Sequence, residues 1–352
     1  MPQKRIPIAI LGATGTVGQR MIQLLHDHPW FEIVALTGSE RTIGRPYGEL
    51  VNWKLDDAPP PRIAEMLVLP SETVVDVGLA LSALPTDIAR DIEPLWAAQT
   101  AVCSNASTYR ETEDVPLLIP EVNPDHLDLL SRQQQRRGWK GCLVTNPNCA
   151  AMGVVMALKP LHDAFGVRKM QIATLQAVSG AGYPGVASLD ILDNIIPNIA
   201  NGVEESKIES EPLKLLGRLQ DGRVQSAPIT ISAQVTRVPV VDGHTALLSI
   251  GFERSPDVQE ALQVLENFRA PEIVRGLPSA PERPLIVRSE GDRPQPRRDR
   301  DAGRGMSATI GRVRSCPLND LRMVVLSHNT IRGAAGGAIL NAELLVAAGI
   351  VR

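Results

Sequence analysis

The first half of the chain alternates short apolar strands with helical segments, and this alternation limits the possible folds more than any other feature. After the first strand, Val17, Met21, Leu24 and Leu25 recur at helical spacing and form one apolar face. Strands that alternate with helices build βαβ units with right-handed crossovers. We therefore predict an α/β fold whose N-terminal part is a doubly wound, Rossmann-type parallel sheet. The predicted strands are residues 6–11, 33–36, 74–83, 101–104 and 143–145.

A glycine-rich turn, GATGTVG at residues 12–18, joins the first strand to the first helix. Glycines allow the backbone to approach a pyrophosphate, which binds at the helix N-terminus. A plain tight turn is the alternative, but the strand–turn–helix context favours a dinucleotide site. The predicted cofactor contacts are Gly12, Thr14, Gly15, Thr16 and Val17.

The end of the second predicted strand indicates which dinucleotide binds. An NAD site places an acidic residue there to hold the ribose hydroxyls, whereas an arginine accommodates the 2′-phosphate of NADP. Ser39, Arg41 and Thr42 offer hydrogen-bond donors and a positive charge, while Glu40 keeps NAD as an alternative. The segment therefore favours NADP as the cofactor.

The pattern changes after Cys149 to longer, alternating strands, which indicate a mixed or antiparallel sheet with one covered face. We also predict a homodimer or homotetramer that forms through this second sheet. The predicted elements are helices at 150–165 and 256–268 and strands at 171–178, 229–238, 245–252 and 321–326. The predicted units are a dinucleotide-binding domain at 1–147, a catalytic and dimerisation domain at 148–330, and a C-terminal helix at 331–352 that returns to the first domain.

Composition excludes several classes of protein. A net charge of -3 does not indicate a nucleic-acid binder. The four cysteines form no CxxC pair and no cluster with zinc spacing, so we predict no metal and a reducing, cytoplasmic location. No apolar stretch is long enough to cross a membrane, and none follows the N-terminal charges as in a signal peptide.

Residues 283–304 are rich in arginine and proline. Acidic residues, including Glu290, Asp292, Asp299 and Asp301, are interleaved with these arginines. Mixed charge of this kind favours a solvated or partner-facing loop over a site for nucleic acid.

Cys149 lies where a short apolar strand turns into an apolar helix, with Asn148 as a natural N-cap and Pro147 in the turn. The helix N-terminus carries partial positive charge, which stabilises a thiolate. We therefore predict that the pKa of this thiol falls and that it is a nucleophile. A buried, inert cysteine is the alternative, because free cysteines are usually core residues.

Three further segments carry candidate partners for the thiol. His244 can pass protons at neutral pH, and Arg237 can clamp a carboxylate unless it forms a surface ion pair. Gln176 can orient a carbonyl or satisfy neighbouring backbone groups. From the residues alone, the segment with Glu204 and Lys207 is most simply an exposed helix face.

These motifs together resemble the aspartate-semialdehyde dehydrogenase family, in its archaeal and fungal branch. The resemblance runs through almost the whole chain and implies a fold like that of glyceraldehyde-phosphate dehydrogenase. The motifs that carry it are GATGTVG, SERT, SNAS-x-x-R, PEVN, NPNC, TLQAVSGAG, EESK, RVPVVDGHT, RPQPRRDRDAG and HNTIRGAAGGA.

The resemblance also implies a role for each matching residue. The implied catalytic residues are the nucleophile Cys149, the general acid/base His244, and Gln176, which positions a thioester. The implied substrate contacts are Arg237 for the α-carboxylate, Glu204 for the amino group, Lys207 and Arg110 for phosphate, and Asn105. The implied further cofactor contacts are Ser179, Gly180 and Asn329.

The implied reaction is the NADPH-dependent reduction of aspartyl 4-phosphate to the semialdehyde through a cysteine thioester, in lysine, threonine and methionine biosynthesis. Malonyl-CoA reductase and N-acetyl-glutamyl-phosphate reductase share the implied fold and cysteine, so these activities stay open as alternatives. A cysteine hydrolase or transferase would need no dinucleotide. A non-enzymatic nucleotide-binding protein would need neither the cysteine nor its candidate partners.

Overall fold

The structure, a computed structural model, describes residues 5–352. Its first sheet has six parallel strands in the order β3-β2-β1-β4-β5-β6, so the chain reverses its direction of winding between β1 and β4. This confirms the predicted doubly wound parallel sheet. The strands are β1 (Ile6–Leu11), β2 (Phe31–Gly38), β3 (Val68–Pro70), β4 (Leu79–Ser82), β5 (Ala101–Ser104) and β6 (Cys142–Thr145).

Short helices connect these strands and cover the faces of the sheet. Trp96 of α4 is fully buried against one face. The helices are α1 (Thr16–Leu25), α2 (Tyr47–Leu50), α3 (Pro61–Ala64), α4 (Thr86–Ala97) and α5 (Leu129–Arg137). The predicted strand at 74–83 was too long, because β4 covers only residues 79–82. Strand β3 was not predicted, because its three residues are too few to show an alternating pattern.

The second sheet has seven strands in mixed orientation, in the order β13-β14-β15-β12-β7-β11-β8. Strands β7 and β11 run parallel, whereas β12 is antiparallel to both of its neighbours, which confirms the predicted mixed sheet. The strands of this part are β7 (Val167–Gln176), β8 (Ile196–Pro197), β9 (Arg218–Gln220), β10 (Arg223–Gln225), β11 (Thr230–Arg237), β12 (His244–Phe252), β13 (Leu285–Arg288), β14 (Ala308–Ser315) and β15 (Leu321–Ser327).

Helices cover one face of the second sheet. The apolar α6 contacts β12 and β15, while α8 lies on β11 and α9 on β14. On the other face, Leu247 is 44% exposed, so that face is open in the single chain. The helices of this part are α6 (Cys149–Phe165), α7 (Ser188–Ile191), α8 (Val203–Leu215), α9 (Val258–Asn267) and α10 (Pro296–Asp299).

The arginine-rich segment 283–304, predicted as a solvated or partner-facing loop, has many exposed charged residues but also short regular elements and a buried charge. It contains β13 and α10, and the Asp299 carboxylate is 1% exposed. Arg288 and Arg293 donate hydrogen bonds to this carboxylate, with an Nε–Oδ distance of 3.1 Å for Arg288. A buried charge needs paired partners, so these arginines organise the segment around one aspartate.

The C-terminal helix α11 (Gly336–Ala347) packs on the first sheet, where it contacts β4 and β5. A wide π-helical turn, Ile331–Ala335, precedes it. The division at 1–147, 148–330 and 331–352 stays a prediction. Within residues 5–352, no helix combines the length and apolarity that a membrane crossing requires.

Candidate active site

The N-terminus of α6 holds the predicted nucleophile. Strand β6 ends at Thr145, and the helix begins at Cys149. The Asn148 side chain accepts hydrogen bonds from the backbone N–H groups of Ala150 (3.0 Å) and Ala151 (3.2 Å), which confirms it as the N-cap. The cysteine is therefore fixed at the end of a parallel strand, on the sheet edge where ligands of such folds bind.

Cys149 and His244 are in direct contact, because Sγ lies 3.2 Å from Nε2. The other ring nitrogen, Nδ1, accepts a hydrogen bond of 3.0 Å from the backbone N–H of Ala177. A neutral imidazole has one donor and one acceptor nitrogen. Since Nδ1 is the acceptor, Nε2 carries the proton and points its N–H at the sulfur.

The environment keeps this imidazole neutral. Burial, with the neighbouring charges of Arg237 and His328, lowers the pKa of His244 to about 3. The predicted general acid/base is thus a hydrogen-bond donor at neutral pH, with no free lone pair facing the thiol.

The prediction that the pKa of Cys149 falls was wrong for this arrangement. Burial raises the pKa of the thiol to about 12, and the Glu204 carboxylate adds to the rise. Arg110, Arg237 and the backbone N–H of Ala150 act in the opposite direction but do not outweigh burial. The resting sulfur is therefore a thiol, although it is partly exposed to the cleft.

Arg237 lies beside this pair and is 5% exposed, which excludes a surface ion pair. Its Nη1 donates a 2.8 Å hydrogen bond to the carbonyl of Ala177. Among residues 5–352, no carboxylate forms a salt bridge with Arg237, so its charge is available to an anion. Gln176, the last residue of β7, is also buried, and its Nε2 lies 3.4 Å from Thr174 Oγ1.

Helix α8 brings Glu204 and Lys207 to the nucleophile, so they do not form the exposed helix face that the residues alone suggest. Glu204 accepts hydrogen bonds from Asn148 Nδ2 (2.7 Å) and Lys207 Nζ (2.8 Å). Burial acts to raise the pKa of Glu204, but the hydrogen bonds and charge of its partners bring it below the ordinary value. The charged carboxylate of Glu204 therefore contacts Asn148, the residue that precedes Cys149.

Arg110 and Asn105 form another wall of the site. Arg110 is 8% exposed and donates from Nη2 to the carbonyl of Asn105 at 2.8 Å. The Asn105 side chain accepts a 2.8 Å hydrogen bond from Asn146, in the turn before the nucleophile. The charge of Arg110 acts on the sulfur of Cys149, so the structure brings the predicted phosphate-binding arginine to the same cleft.

Part of the predicted dinucleotide set lines a groove of about 650 Å³ at the carboxyl ends of β1 and β2. Gly12 has a φ of +74°, a left-handed conformation that favours glycine. The backbone N–H groups of the first turn of α1, at Thr16 and Val17, are available to a phosphate. The predicted residues that line the groove are Gly12, Thr14, Gly15, Ser39 and Arg41.

Two details modify the predicted cofactor set. The Thr42 hydroxyl donates to the carbonyl of Ser39 at 2.7 Å, so its one hydrogen is used to close the turn. Gly180 packs against His244, since a side-chain carbon there would lie 2.9 Å from His244 Cε1. Asn329 donates to Ser179 Oγ at 2.7 Å and accepts from the backbone N–H of residue 243. These hydrogen bonds hold the Ser179–Gly180 segment beside His244, and Ser179, Gly180 and Asn329 do not line the groove.

Sequence reasoning missed four contributors to the site. Glu211 and Lys214 have helical spacing from Glu204, and this spacing is a signal in the sequence that could have identified them. The Ala177 N–H that fixes the histidine and the Gly333 backbone that lies against Cys149 give no such signal. Within the described part of the chain, no group of three or more metal-ligating side chains is close enough to hold a metal ion.

Comparison with known families defines the class of this protein. Residues 7–130 match the family model described as the NAD binding domain of semialdehyde dehydrogenases, and residues 158–332 match that of the semialdehyde dehydrogenase dimerisation domain. The chain thus has both domains of a semialdehyde dehydrogenase.

Full-length relatives identify the family within this class. The aspartate-semialdehyde dehydrogenase of Archaeoglobus fulgidus is 50% identical over 97% of this chain and 98% of the relative. That of Cryptococcus neoformans is 42% identical over 100% of both chains. The crystal structure of the Candida albicans enzyme with NADP has a TM-score of 0.90 at 40% identity and covers 98% of this chain and 100% of that chain. The chain belongs to the aspartate-semialdehyde dehydrogenase family, which confirms the resemblance.

Proposed function

We propose that this protein reduces L-aspartyl 4-phosphate to L-aspartate 4-semialdehyde with NADPH, through a thioester on Cys149, in the cytoplasmic synthesis of lysine, threonine and methionine. The observation that carries the proposal is the 3.2 Å contact between Cys149 Sγ and His244 Nε2 at the start of α6. The charged groups around this contact match the ionic groups of an aminoacyl phosphate.

The substrate is held by charge complementarity. Arg237 has no carboxylate partner among residues 5–352 and receives the α-carboxylate of the substrate. The charged Glu204 receives its ammonium group, and Arg110 and Lys207 receive its phosphate. Malonyl-CoA has a carboxylate but no ammonium group, so the charged Glu204 favours the amino-acid substrate over this alternative.

The first chemical step forms the thioester. The sulfur of Cys149 bonds to the acyl carbon, and the bond between that carbon and the phosphate oxygen breaks. The thiol proton leaves with the phosphate, because Nε2 of His244 already carries a proton. Arg110 stabilises the negative charge of the leaving phosphate and favours ionisation of the sulfur.

The second step reduces the thioester. Bound NADPH supplies the hydride, and the groove with Ser39 and Arg41 fits its 2′-phosphate. His244 keeps its proton and donates a hydrogen bond from Nε2–H to the oxyanion on the reduced carbon, as a pre-positioned donor in a buried site. Collapse of this oxyanion reforms the carbonyl of the semialdehyde and breaks the bond from carbon to sulfur. The Cys149 thiolate that leaves then takes a proton from solvent, which regenerates the resting thiol.

The reverse reaction gives a direct test. L-Aspartate 4-semialdehyde, NADP and inorganic phosphate should produce NADPH, whereas NADPH with malonyl-CoA or N-acetyl-glutamyl phosphate should not be consumed. Cys149→Ala should abolish turnover while NADP still binds. The control Cys316→Ala, which lies outside the cleft, should keep wild-type turnover. Equal turnover with malonyl-CoA, or full activity of Cys149→Ala, would contradict the proposal.

We also propose that the protein is a homo-oligomer that associates through the open face of the second sheet. Residues 158–332 match a dimerisation domain, and the exposed Leu247 lies on that face. Sedimentation at micromolar concentration should give a dimer or tetramer, and Leu247→Glu should weaken it. A wild-type monomer would exclude this association.

A further inference from the structure

Helix α8 carries a line of four charged residues that faces the active site. Glu204, Lys207, Glu211 and Lys214 are spaced by three, four and three residues, so they lie on one face of the helix. The first two form the substrate wall described above. The last two lie deeper, and Glu211 is only 2% exposed.

The two oxygens of Glu211 hold two different segments of the site. Oε1 accepts a 2.9 Å hydrogen bond from Nη1 of Arg110, and Oε2 accepts from the backbone N–H of Asn148. One segment carries the predicted phosphate ligand, and the other immediately precedes the nucleophile Cys149. A single carboxylate therefore fixes the distance between them.

Lys214 fixes the backbone of the same arginine. Its Nζ donates to the carbonyls of Arg110 (2.6 Å), Thr112 (2.8 Å) and Val115 (2.9 Å). The ammonium group thus uses its three hydrogens on one loop. With the loop held by Lys214 and the guanidinium held by Glu211, neither end of Arg110 is free to move.

The arrangement leaves part of the guanidinium available. Nη1 donates to Glu211 and Nη2 to Asn105, while Nε of Arg110 is buried without a hydrogen-bond partner among residues 5–352. A guanidinium has five N–H donors in a fixed plane. Two fixed donors set the plane of the guanidinium and the direction of its remaining terminal N–H groups, which suits a phosphate; Nε is enclosed and is not one of these donors.

A purely stabilising role does not require a charge at this position. Burial raises the pKa of Glu211, which shows that its charged form is costly, although Arg110 and the Asn148 N–H oppose the rise. A negative charge beside an anion site also repels phosphate. The benefit that offsets both effects is the orientation of Arg110 relative to Cys149.

We propose that Glu211 is a positioning residue that aligns Arg110 with the nucleophile for the phosphate of the substrate. The proposal rests on the proposed function, in which Arg110 binds that phosphate. In Glu211→Gln, the amide nitrogen cannot accept a hydrogen bond, so either Arg110 or Asn148 loses its partner. The orientation is then lost with little change in side-chain volume.

The test uses the full chain in the reverse reaction, with inorganic phosphate as the varied substrate. Glu211→Gln should raise the KM for phosphate about ten-fold or more, as expected for the loss of a charged hydrogen bond. The KM for NADP should change less than about two-fold, since that ligand does not depend on Arg110. The KM for the semialdehyde should rise less than that for phosphate, since Asn148 still contacts Glu204 through its side chain. Added to Arg110→Ala, Glu211→Gln should raise the phosphate KM no further, because its effect acts through that arginine.

A matched control comes from the same helix. Glu209 accepts a 2.9 Å hydrogen bond from the backbone N–H of Ala233 but contacts no residue of the site. Glu209→Gln should leave the phosphate KM unchanged. If Glu211→Gln does not fold, Glu211→Asp keeps the charge but is too short to span both partners, and it should raise the phosphate KM in the same way.

The outcomes separate the two proposals. A folded Glu211→Gln with an unchanged phosphate KM, or with equal increases in all three KM values, would overturn the positioning role while the proposed function stands. An additive effect on top of Arg110→Ala would also overturn it. A wild-type protein that fails to use phosphate with the semialdehyde would refute the proposed function itself.

Discussion

The backbone of Gly333 lies against the nucleophile and gives the sharpest steric prediction. A methyl group on this residue would lie 2.7 Å from Cβ of Cys149 and 3.0 Å from its Cα. Carbon atoms in contact are normally about 3.5–4.0 Å apart. Gly333→Ala must therefore separate the π-helical turn from the start of α6 by about 1 Å, as the difference between these contact distances shows.

A displacement of about 1 Å in an active site can reduce the rate about 100-fold. We expect Gly333→Ala to lower kcat to that extent, because Cys149 no longer faces the acyl carbon correctly. The affinity for NADP should change less than kcat, since Gly333 is not among the residues that line the groove. Production of NADPH from the semialdehyde and phosphate measures kcat, and titration calorimetry measures the affinity.

Gly291→Ala is the matched control. This glycine lies in an exposed turn, and an added methyl group would meet only Arg312 Nη1, at 3.8 Å. It should keep wild-type kcat and thermal stability. A Gly333→Ala protein with both wild-type kcat and wild-type Tm would show that the turn does not press on the nucleophile.

Three further predictions concern single side chains or pairs. Arg41→Ala should raise the KM for NADP at least about ten-fold, as the loss of a charge-assisted hydrogen bond implies. The KM for NAD should stay nearly unchanged. Equal increases in both KM values would show that Arg41 does not bind the 2′-phosphate. His244 is neutral in the folded protein but titrates near its ordinary pKa when unfolded, so it lowers stability as the pH falls below about 6.5. Between about pH 7.5 and about pH 5, the Tm of His244→Asn should therefore fall less than that of the wild type. An equal fall in Tm would contradict the lowered pKa of His244. Arg332 and Glu121 form a fully buried ion pair with contacts of 2.6 and 2.7 Å, so Arg332→Met should cost about 3–5 kcal/mol in urea unfolding. Adding Glu121→Leu should recover most of that loss, and a double variant as unstable as the single one would argue against an uncompensated charge.

Features with a local pattern were predictable from the sequence. The parallel strands, the N-cap at Asn148 and the helix after Cys149 follow from spacing and composition within a few residues. The nucleotide groove was predictable for the same reason, since its glycine turn has a fixed place between strand and helix. The site residues with conspicuous chemistry, such as His244 and Arg237, were identified as candidates by residue type.

Features that depend on distant contacts were not predictable. The positive end of α6 suggests a low pKa for Cys149, but only the packed structure shows that burial reverses the direction. The backbone N–H of Ala177 that sets the state of the imidazole lies 67 residues from His244. The charge pattern of residues 283–304 likewise does not reveal that Asp299 is buried at its centre.

The position of α11 has a consequence for how the protein is made on the ribosome. Leu340 and Leu344 belong to the same core as Ile8 and Ile10, yet about 330 residues are synthesised between the two groups. Domains that are contiguous in sequence can fold as they emerge, N-terminal part first. Here the core of the first sheet is incomplete until the last helix has left the ribosome. The nascent chain therefore exposes apolar surface of the first sheet during the whole synthesis of the residues between β1 and α11.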